Sequence, residues 1–282
     1  MAWVTEQRPT ATELSACVQC GLCLPHCPTF RLTGLETASP RGRLAAMNAI
    51  NDEMIPFDAT FAAAMNFCLN CRACEAVCPS LVPFGRAMEG ARAEVSAQLP
   101  SGTRRLRHLV LGGVLPSRRL MRAATVAVRM VQQTGAGRWL PRRWRLGFAG
   151  MRRIVRGRSL AGQVFAPRGA AKGTVGLLSG CVMDPWFPDI HRAAVDVLVA
   201  AGYRVVVPIA QTCCGALSAH DGAAGAAKRL ARRNVAAFAG VDLIVADAAG
   251  CSAHLKEYGH WAGDGDDLAA RVRDVTEFVA DL

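Results

Sequence analysis

Eight of the twelve cysteines repeat one spacing, Cys17-x2-Cys20-x2-Cys23-x3-Cys27-Pro28 and Cys68-x2-Cys71-x2-Cys74-x3-Cys78-Pro79. Three thiolates packed this closely suit one cubane iron–sulfur cluster, and in two-cluster proteins the fourth cysteine crosses to the other cluster. Cys17, Cys20, Cys23 and Cys78 are therefore expected to hold one [4Fe–4S] centre, and Cys68, Cys71, Cys74 and Cys27 a second. Two such centres side by side form an electron relay. Other uses of cysteine fit less well. Disulfide scaffolds are usually short secreted chains, and structural zinc takes two separated pairs of ligands rather than four cysteines within eleven residues. Gly21, Leu22, Leu24 and Pro25 surround the first run. Such small and apolar neighbours limit water and leave backbone N–H groups free for sulfur. Pro28 and Pro79 stop a helix from running back through either run.

These runs need a scaffold, and 282 residues with 51% hydrophobic content can supply more than one core. No apolar run reaches the ~18 residues that cross a bilayer. Residues 1–9 include Glu6 and lack the apolar stretch of an export signal. A reducing, cytoplasmic setting is the expectation, with peripheral attachment to the inner face of the membrane as an extension of it. The net charge of +11 has one source: residues 100–172 hold 17 Lys and Arg with no Asp or Glu, leaving 16 basic against 22 acidic residues elsewhere.

The fold class expected is α plus α/β, in three parts. Residues 1–99 read as an all-helical, ferredoxin-like two-cluster domain. Within it Ser39 caps a helix opened by Pro40, and residues 57–67 and 85–98 make two more. Residues 100–172 read as a basic helical connector. Arg118, Arg122 and Arg129 fall within about 40° of one another on a helix spanning 118–133, and the stretch Arg138-Trp139-Leu140-Pro141-Arg142-Arg143-Trp144-Arg145 adds two tryptophans. This composition fits a linker packed on an acidic partner subunit first and a membrane surface second. Nucleic acid is not expected as a partner.

Residues 173–282 alternate strand and helix: strands at 174–179, 204–207 and 241–246, and helices at 190–201, 223–239, around 254–258, and 268–282. That order implies a small parallel α/β domain with right-handed crossovers. The other four cysteines fall just past its strands, Cys181 after the first, Cys213 and Cys214 after the second, and Cys251 after the third. Loops at the carboxyl ends of parallel strands gather on one edge. Gly180, Gly215 and Gly250 adjoin them and allow tight turns. The four thiols are expected to form a third metal centre or a redox-active site. A buried structural thiol set or a Cys213–Cys214 disulfide is the plainer reading.

The stretches Cys20-Gly21-Leu22-Cys23-Leu24-Pro25-His26-Cys27-Pro28, Ser39-Pro40-Arg41-Gly42-Arg43 and Cys71-Arg72-Ala73-Cys74-Glu75-Ala76-Val77-Cys78-Pro79 resemble the iron–sulfur subunit of glycolate oxidase. Cys213-Cys214-Gly215, with Cys181 before it and Gly250-Cys251 and Lys256-Glu257-Tyr258 after it, resembles that family's cysteine-rich CCG domain. The resemblance implies an oxidoreductase subunit. It would take electrons from an FAD-containing partner that oxidises a 2-hydroxy acid and pass them through two [4Fe–4S] clusters to a quinone-linked acceptor. FAD would sit on the partner only, since no dinucleotide fingerprint occurs here. Related families serve lactate utilisation, glycerol-3-phosphate oxidation and heterodisulfide reduction, so the alternatives are a heterodisulfide-type thiol redox subunit, with Cys213 and Cys214 reactive, or the iron–sulfur subunit of a lactate or glycerol-3-phosphate dehydrogenase. Two departures stand out. The family commonly carries a second CCG copy, which a longer form or another polypeptide would have to supply. The heterodisulfide type also ends in Cys-x2-Cys, whereas Cys251 is followed by Ser252, Ala253 and His254.

Overall fold

A computed structural model describes residues 3–139, 141–155 and 157–282, without the side chains of Arg143, Trp144 and Ala149. The expectations placed on Leu140 and on the Arg143 and Trp144 side chains lie outside the described residues. The chain divides into two compact units, one of residues Met1–His108 with Leu217–Ala224, the other of Leu109–Ala216 with Gly225–Leu282.

Among the described residues every regular element of the first unit is helical: α1 (Ala11–Ser15), α2 (Pro28–Thr33), α3 (Pro40–Asn51), α4 (Ala59–Asn66), α5 (Ala73–Ala76), α6 (Phe84–Gln98) and α7 (Gly102–Leu109), with a 3-10 turn at Glu36–Ala38 and most of the short helix Ala216–His220. The sequence dictates several of the starts. Thr10 opens α1 with a reciprocal capping box to Glu13, Ser39 accepts the Gly42 N–H at the head of α3, and Asp58 accepts the amides of Thr60 and Phe61 at α4. The helices close over a core of Leu14, Leu44, Met47, Ile50, Phe61, Met65, Met88 and Val95, against which Cys17, Cys23, Cys68 and Cys78 pack. Every cysteine run therefore hangs on a solid apolar floor.

The second unit is built on a five-stranded sheet in the order β1-β3-β2-β4-β5. Its strands are β1 (Val164–Phe165), β2 (Thr174–Leu178), β3 (Arg204–Val206), β4 (Leu243–Ala246) and β5 (Val272–Asp274). Strands β3, β2, β4 and β5 run parallel, while β1 pairs antiparallel with β3. The expected purely parallel sheet is thus corrected to a mixed one. Its antiparallel edge comes from the basic segment, where Leu160 also enters the sheet core beside Val175, Val205 and Val245. The single last helix expected at 268–282 is corrected as well: residues Gly265–Ala270 are helical, β5 interrupts, and Val275–Ala280 resumes as a helix capped by Asp274. Strand β5 forms because Ile244, Val245 and Ala246 leave an edge on β4 that Val272–Asp274 satisfies. The helix α8 (Arg118–Thr134), capped by Ser117, belongs to this unit.

Candidate iron–sulfur and thiol sites

In the first unit the two cysteine runs adopt the same backbone path. Gln19 and Gly21 have φ of 55° and 84°, and their counterparts Asn70 and Arg72 have 52° and 57°. Left-handed residues between successive cysteines turn three side chains toward one point, which a regular helix could not do. Three of these four positions carry side chains, at roughly 1 kcal/mol each or more. Only Gly21 betrayed the turn in the sequence.

One cavity is lined by Cys17, Cys20 and Cys23 of the first run together with Cys78 of the second. Another is lined by Cys68 and Cys71 of the second run together with Cys27 of the first. Cys74 contributes to the walls of both. The fourth cysteine of each run is thus carried to the other run's cavity. Among the described residues no three His, Cys, Asp or Glu side chains close around a single ion. The thiols line the two cavities side by side with apolar residues such as Pro40 and Phe84. Sulfur also meets backbone donors here, the Asn70 N–H pointing at Cys68 Sγ over 3.4 Å.

The Ser39–Arg43 motif lies beside both cavities. Arg41 bonds Glu36 at 2.7 Å and the Gln19 carbonyl at 3.2 Å, pinning the left-handed turn of the first run. A Cβ on Gly42 would lie 2.0 Å from the Glu36 carbonyl, so only glycine fits there. Arg43 is fully buried. Its guanidinium donates to Ala64 O at 2.9 Å, Ala38 O at 2.7 Å and Thr29 Oγ1 at 3.3 Å. Thr29 Oγ1 in turn lies 3.2 Å from Cys27 Sγ. Burial opposes ionisation of Cys27, but the Thr29 hydroxyl, neighbouring amides and the Arg43 charge outweigh it and hold the thiol below its ordinary value. Burial pushes Cys23 upward, and burial with the nearby Glu75 charge pushes Cys74 further. The spacing gave no sign of Arg43 as a support.

In the second unit, Cys181, Cys213, Cys214 and Cys251 come together. All four are free thiols: Cys181 interacts with Cys213 and Cys213 with Cys214, and Cys214 Sγ lies 3.2 Å from Cys251 Sγ. Gly180 and Gly215 flank them at φ of 64° and 94°. Cys251 departs from expectation: it sits in the first turn of a helix, Ala249–Leu255, rather than in a loop, and Gly250 is helical too. Second-layer residues hold the loops. Gln211 accepts the Ser179 N–H at 2.8 Å and donates to Leu177 O at 2.9 Å. Buried Asn234 accepts the Thr212 N–H at 2.8 Å and donates to Cys213 O at 3.0 Å, while Tyr258 OH donates to Cys214 O at 2.7 Å. His191 Nδ1 lies 2.5 Å from Asp247 Oδ2, and its Nε2 meets Ser179 O at 3.0 Å. Both imidazole nitrogens face acceptors, and against the opposing effect of burial the Asp247 carboxylate and the Ser179 carbonyl raise the ring above its ordinary value. It ties the loop before Cys181 to the end of β4.

Ionisation is costly in this quartet. Cys181 is raised by its bond to Cys213 and by burial. Cys213 gains from the Cys181 bond, but Cys214 and burial outweigh that and push it up to about 12. Cys214 is helped by Cys213 but raised well above the ordinary thiol value by Cys251 and burial. Such thiols are poor nucleophiles on their own. They become thiolates only with positive charge brought among them.

Residues 13–82 match the family model of a 4Fe-4S dicluster domain, and residues 175–256 that of a cysteine-rich domain. The probable glycolate oxidase iron-sulfur subunit of Bacillus subtilis (strain 168) is 35% identical over 98% of this chain and 66% of its own length. The glycolate oxidase iron-sulfur subunit of Escherichia coli (strain K12) is 31% identical over 95% of this chain and 64% of its own. The chain thus carries a 4Fe-4S dicluster domain and a cysteine-rich domain, and nearly all of it is similar to glycolate oxidase iron–sulfur subunits. It spans just under two thirds of the length of those two relatives. Lactate utilization protein A of Geobacillus kaustophilus (strain HTA426) is 33% identical over 38% of this chain and 48% of its own length. No solved structure matches. No helix among the described residues is long and apolar enough to cross a membrane.

Proposed function

We propose that the chain is the iron–sulfur electron-transfer subunit of a flavin-linked 2-hydroxy-acid dehydrogenase of the glycolate type. It would receive electrons from an FAD-containing partner and deliver them to a quinone-linked acceptor. The observation that supports this most is the division of the eight repeated cysteines between two adjoining cavities, each drawing on both runs. When bound, [4Fe–4S] clusters supply one-electron transfer. Cys17, Cys20, Cys23 and Cys78 would hold one, and Cys68, Cys71, Cys74 and Cys27 the other. The chain's own residues fix those ligands: Arg41 pins the first run, Arg43 and Thr29 steady Cys27, and the apolar core keeps water away from Cys23 and Cys74.

For the quartet of Cys181, Cys213, Cys214 and Cys251 we propose a third iron–sulfur centre. The gathering of four thiols from separate segments, with Cys214 Sγ 3.2 Å from Cys251 Sγ, supports a shared centre ahead of a reactive Cys213–Cys214 pair, and the heterodisulfide-type reading stands second. In functional terms residues 1–99 would be the relay, 100–172 the docking connector and 173–282 the cysteine-rich domain. The connector's exposed Leu120, Met130, Trp139 and Leu146 among arginines would meet the partner subunit, with a membrane surface as the competing outcome. A cytoplasmic location, peripheral to the membrane, goes with this reading.

Stopped reduction assays test it. The chain alone should reduce no dye with glycolate. With its FAD partner, glycolate should reduce the chain's clusters and raise their EPR signals. Glycolate-dependent dye reduction by the chain alone, or a partner that turns over without reducing those clusters, would overturn the proposal.

A further inference from the structure

An open groove of about 830 Å³ runs along the second unit, lined by Arg122 and Arg129 of α8, Arg158, and Arg192 of the helix Pro188–Ala200. Its walls are fixed. Trp186 Nε1 donates to Thr125 Oγ1 at 3.0 Å, and Gln132 bonds both the Ile154 N–H and the Arg152 carbonyl. Among the described residues none of the four guanidiniums has a hydrogen bond or ion pair. The one carboxylate in the lining, Asp184, is buried and already accepts Ser159 Oγ at 2.7 Å. Residues 100–172 supply no other acid. Four arginines thus line an open space with a single buried carboxylate, Asp184, among them.

The helical face of Arg118, Arg122 and Arg129, which the sequence presents as a surface for lipid or a partner, is turned to this unit. Arg118 is spent on the Ile209 and Gln211 carbonyls, and the other two line the groove. A concave wall does not seat a flat bilayer. A volume of several hundred cubic ångströms is the size of a small-molecule site, and guanidinium forks match carboxylate and phosphate oxygens two at a time. A second, narrower cavity shares Arg122, Asp184 and Pro185 with the groove and reaches Cys181 and Cys213.

We propose that this groove binds a small molecule carrying two or more carboxylate or phosphate groups, next to the thiol quartet. The site goes beyond electron transfer through the first unit and stands whether or not the four thiols hold metal. A ligand seated there would lie where it can sense or influence the Cys181–Cys213 end of the quartet.

The test uses the full chain, purified without oxygen, titrated with citrate and with pyrophosphate by calorimetry at low ionic strength. Saturable one-site binding is expected for at least one probe. It should weaken roughly tenfold or more in Arg122→Gln with Arg192→Gln, since each removed guanidinium forfeits charge-assisted bonds. The pair Arg142→Gln with Arg145→Gln, outside the groove, should leave it unchanged. If the first pair does not fold, as judged by circular dichroism, Arg129→Gln with Arg158→Gln decides by the same criterion. Binding of neither probe, or equal weakening by groove and distant pairs, would overturn the proposal. So would binding confined to phosphatidylglycerol vesicles and lost with the groove arginines, which would make the occupant a lipid surface.

Discussion

Replacing Arg43 with methionine keeps the length and apolar stem of the side chain and removes its donors. The buried guanidinium serves Ala64 O, Ala38 O and Thr29 Oγ1. Its bonds to the two carbonyls are short, and each such bond to a charged donor is worth about 1.5–3 kcal/mol, so a loss of roughly 3–6 kcal/mol follows. For a unit of this size about 1 kcal/mol moves the melting midpoint by roughly 4–8 °C, so Arg43→Met should lower it by more than ~10 °C. Thr29 would lose its orienting partner beneath Cys27, and the cavity of Cys68 and Cys71 should lose metal first. The assay is a thermal melt under argon followed by circular dichroism, with iron release to a chelator followed in parallel. Arg43→Lys, a point charge that reaches fewer acceptors, should fall in between. A midpoint shift below ~3 °C, with unchanged iron release, would refute the view that Arg43 supports this site.

Three further expectations concern the second unit. Burial lowers the basicity of His191, but Asp247 and the Ser179 carbonyl outweigh it and raise the ring above its ordinary 6.5. A raised folded value stabilises fully at pH below the unfolded value and is lost as pH rises through the folded one. The unit should therefore melt earlier as pH climbs above ~6.5, and His191→Gln should flatten that slope; a wild-type melt indifferent to pH there would contradict the charged pair. Asn234→Ala strips partners from the Thr212 N–H, Cys213 O and Tyr258 OH, and should cost about 2–4 kcal/mol in urea unfolding; a loss under ~1 kcal/mol would show the Cys213–Cys214 turn to be self-supporting. Replacing Arg142, Arg143 and Arg145 with serine should weaken co-purification with the FAD partner without bleaching the visible absorbance. Undiminished recovery of the complex would make the connector passive.

Much of the fold was legible because its signals are local. Ser39 with Pro40 announces α3, and Gly202 and Gly240 close the helices that precede β3 and β4, both at positive φ. What was not legible depends on partners distant in sequence. Val164–Phe165 is two residues long and sits in a basic stretch, and only pairing with Val205 and Val206 makes it a strand. Val272–Asp274 continues the polarity of its helical neighbours, and the β4 edge decides its state. In the candidate sites, cysteine spacing shows which residues carry chemistry. It is silent on Arg43, Gln211, His191 and Asn234, polar side chains whose burial follows from tertiary packing and carries no local pattern. Tyr258 was marked by resemblance, yet its bond to the Cys214 carbonyl emerges only from the fold. The left-handed Gln19, Asn70 and Arg72 escaped for a related reason, since side chains there normally argue against such a turn.

The most direct measurement is EPR with iron and sulfide counting on single Cys→Ser variants made without oxygen. Cys78→Ser should alter the same signal as Cys20→Ser, and Cys27→Ser the same signal as Cys71→Ser, each leaving the other centre intact. Wild type should hold about eight irons, or about twelve with the quartet of the second unit filled. If Cys78→Ser instead matches Cys71→Ser, or the pure protein carries zinc and no iron, the exchange of ligands between the two runs is wrong.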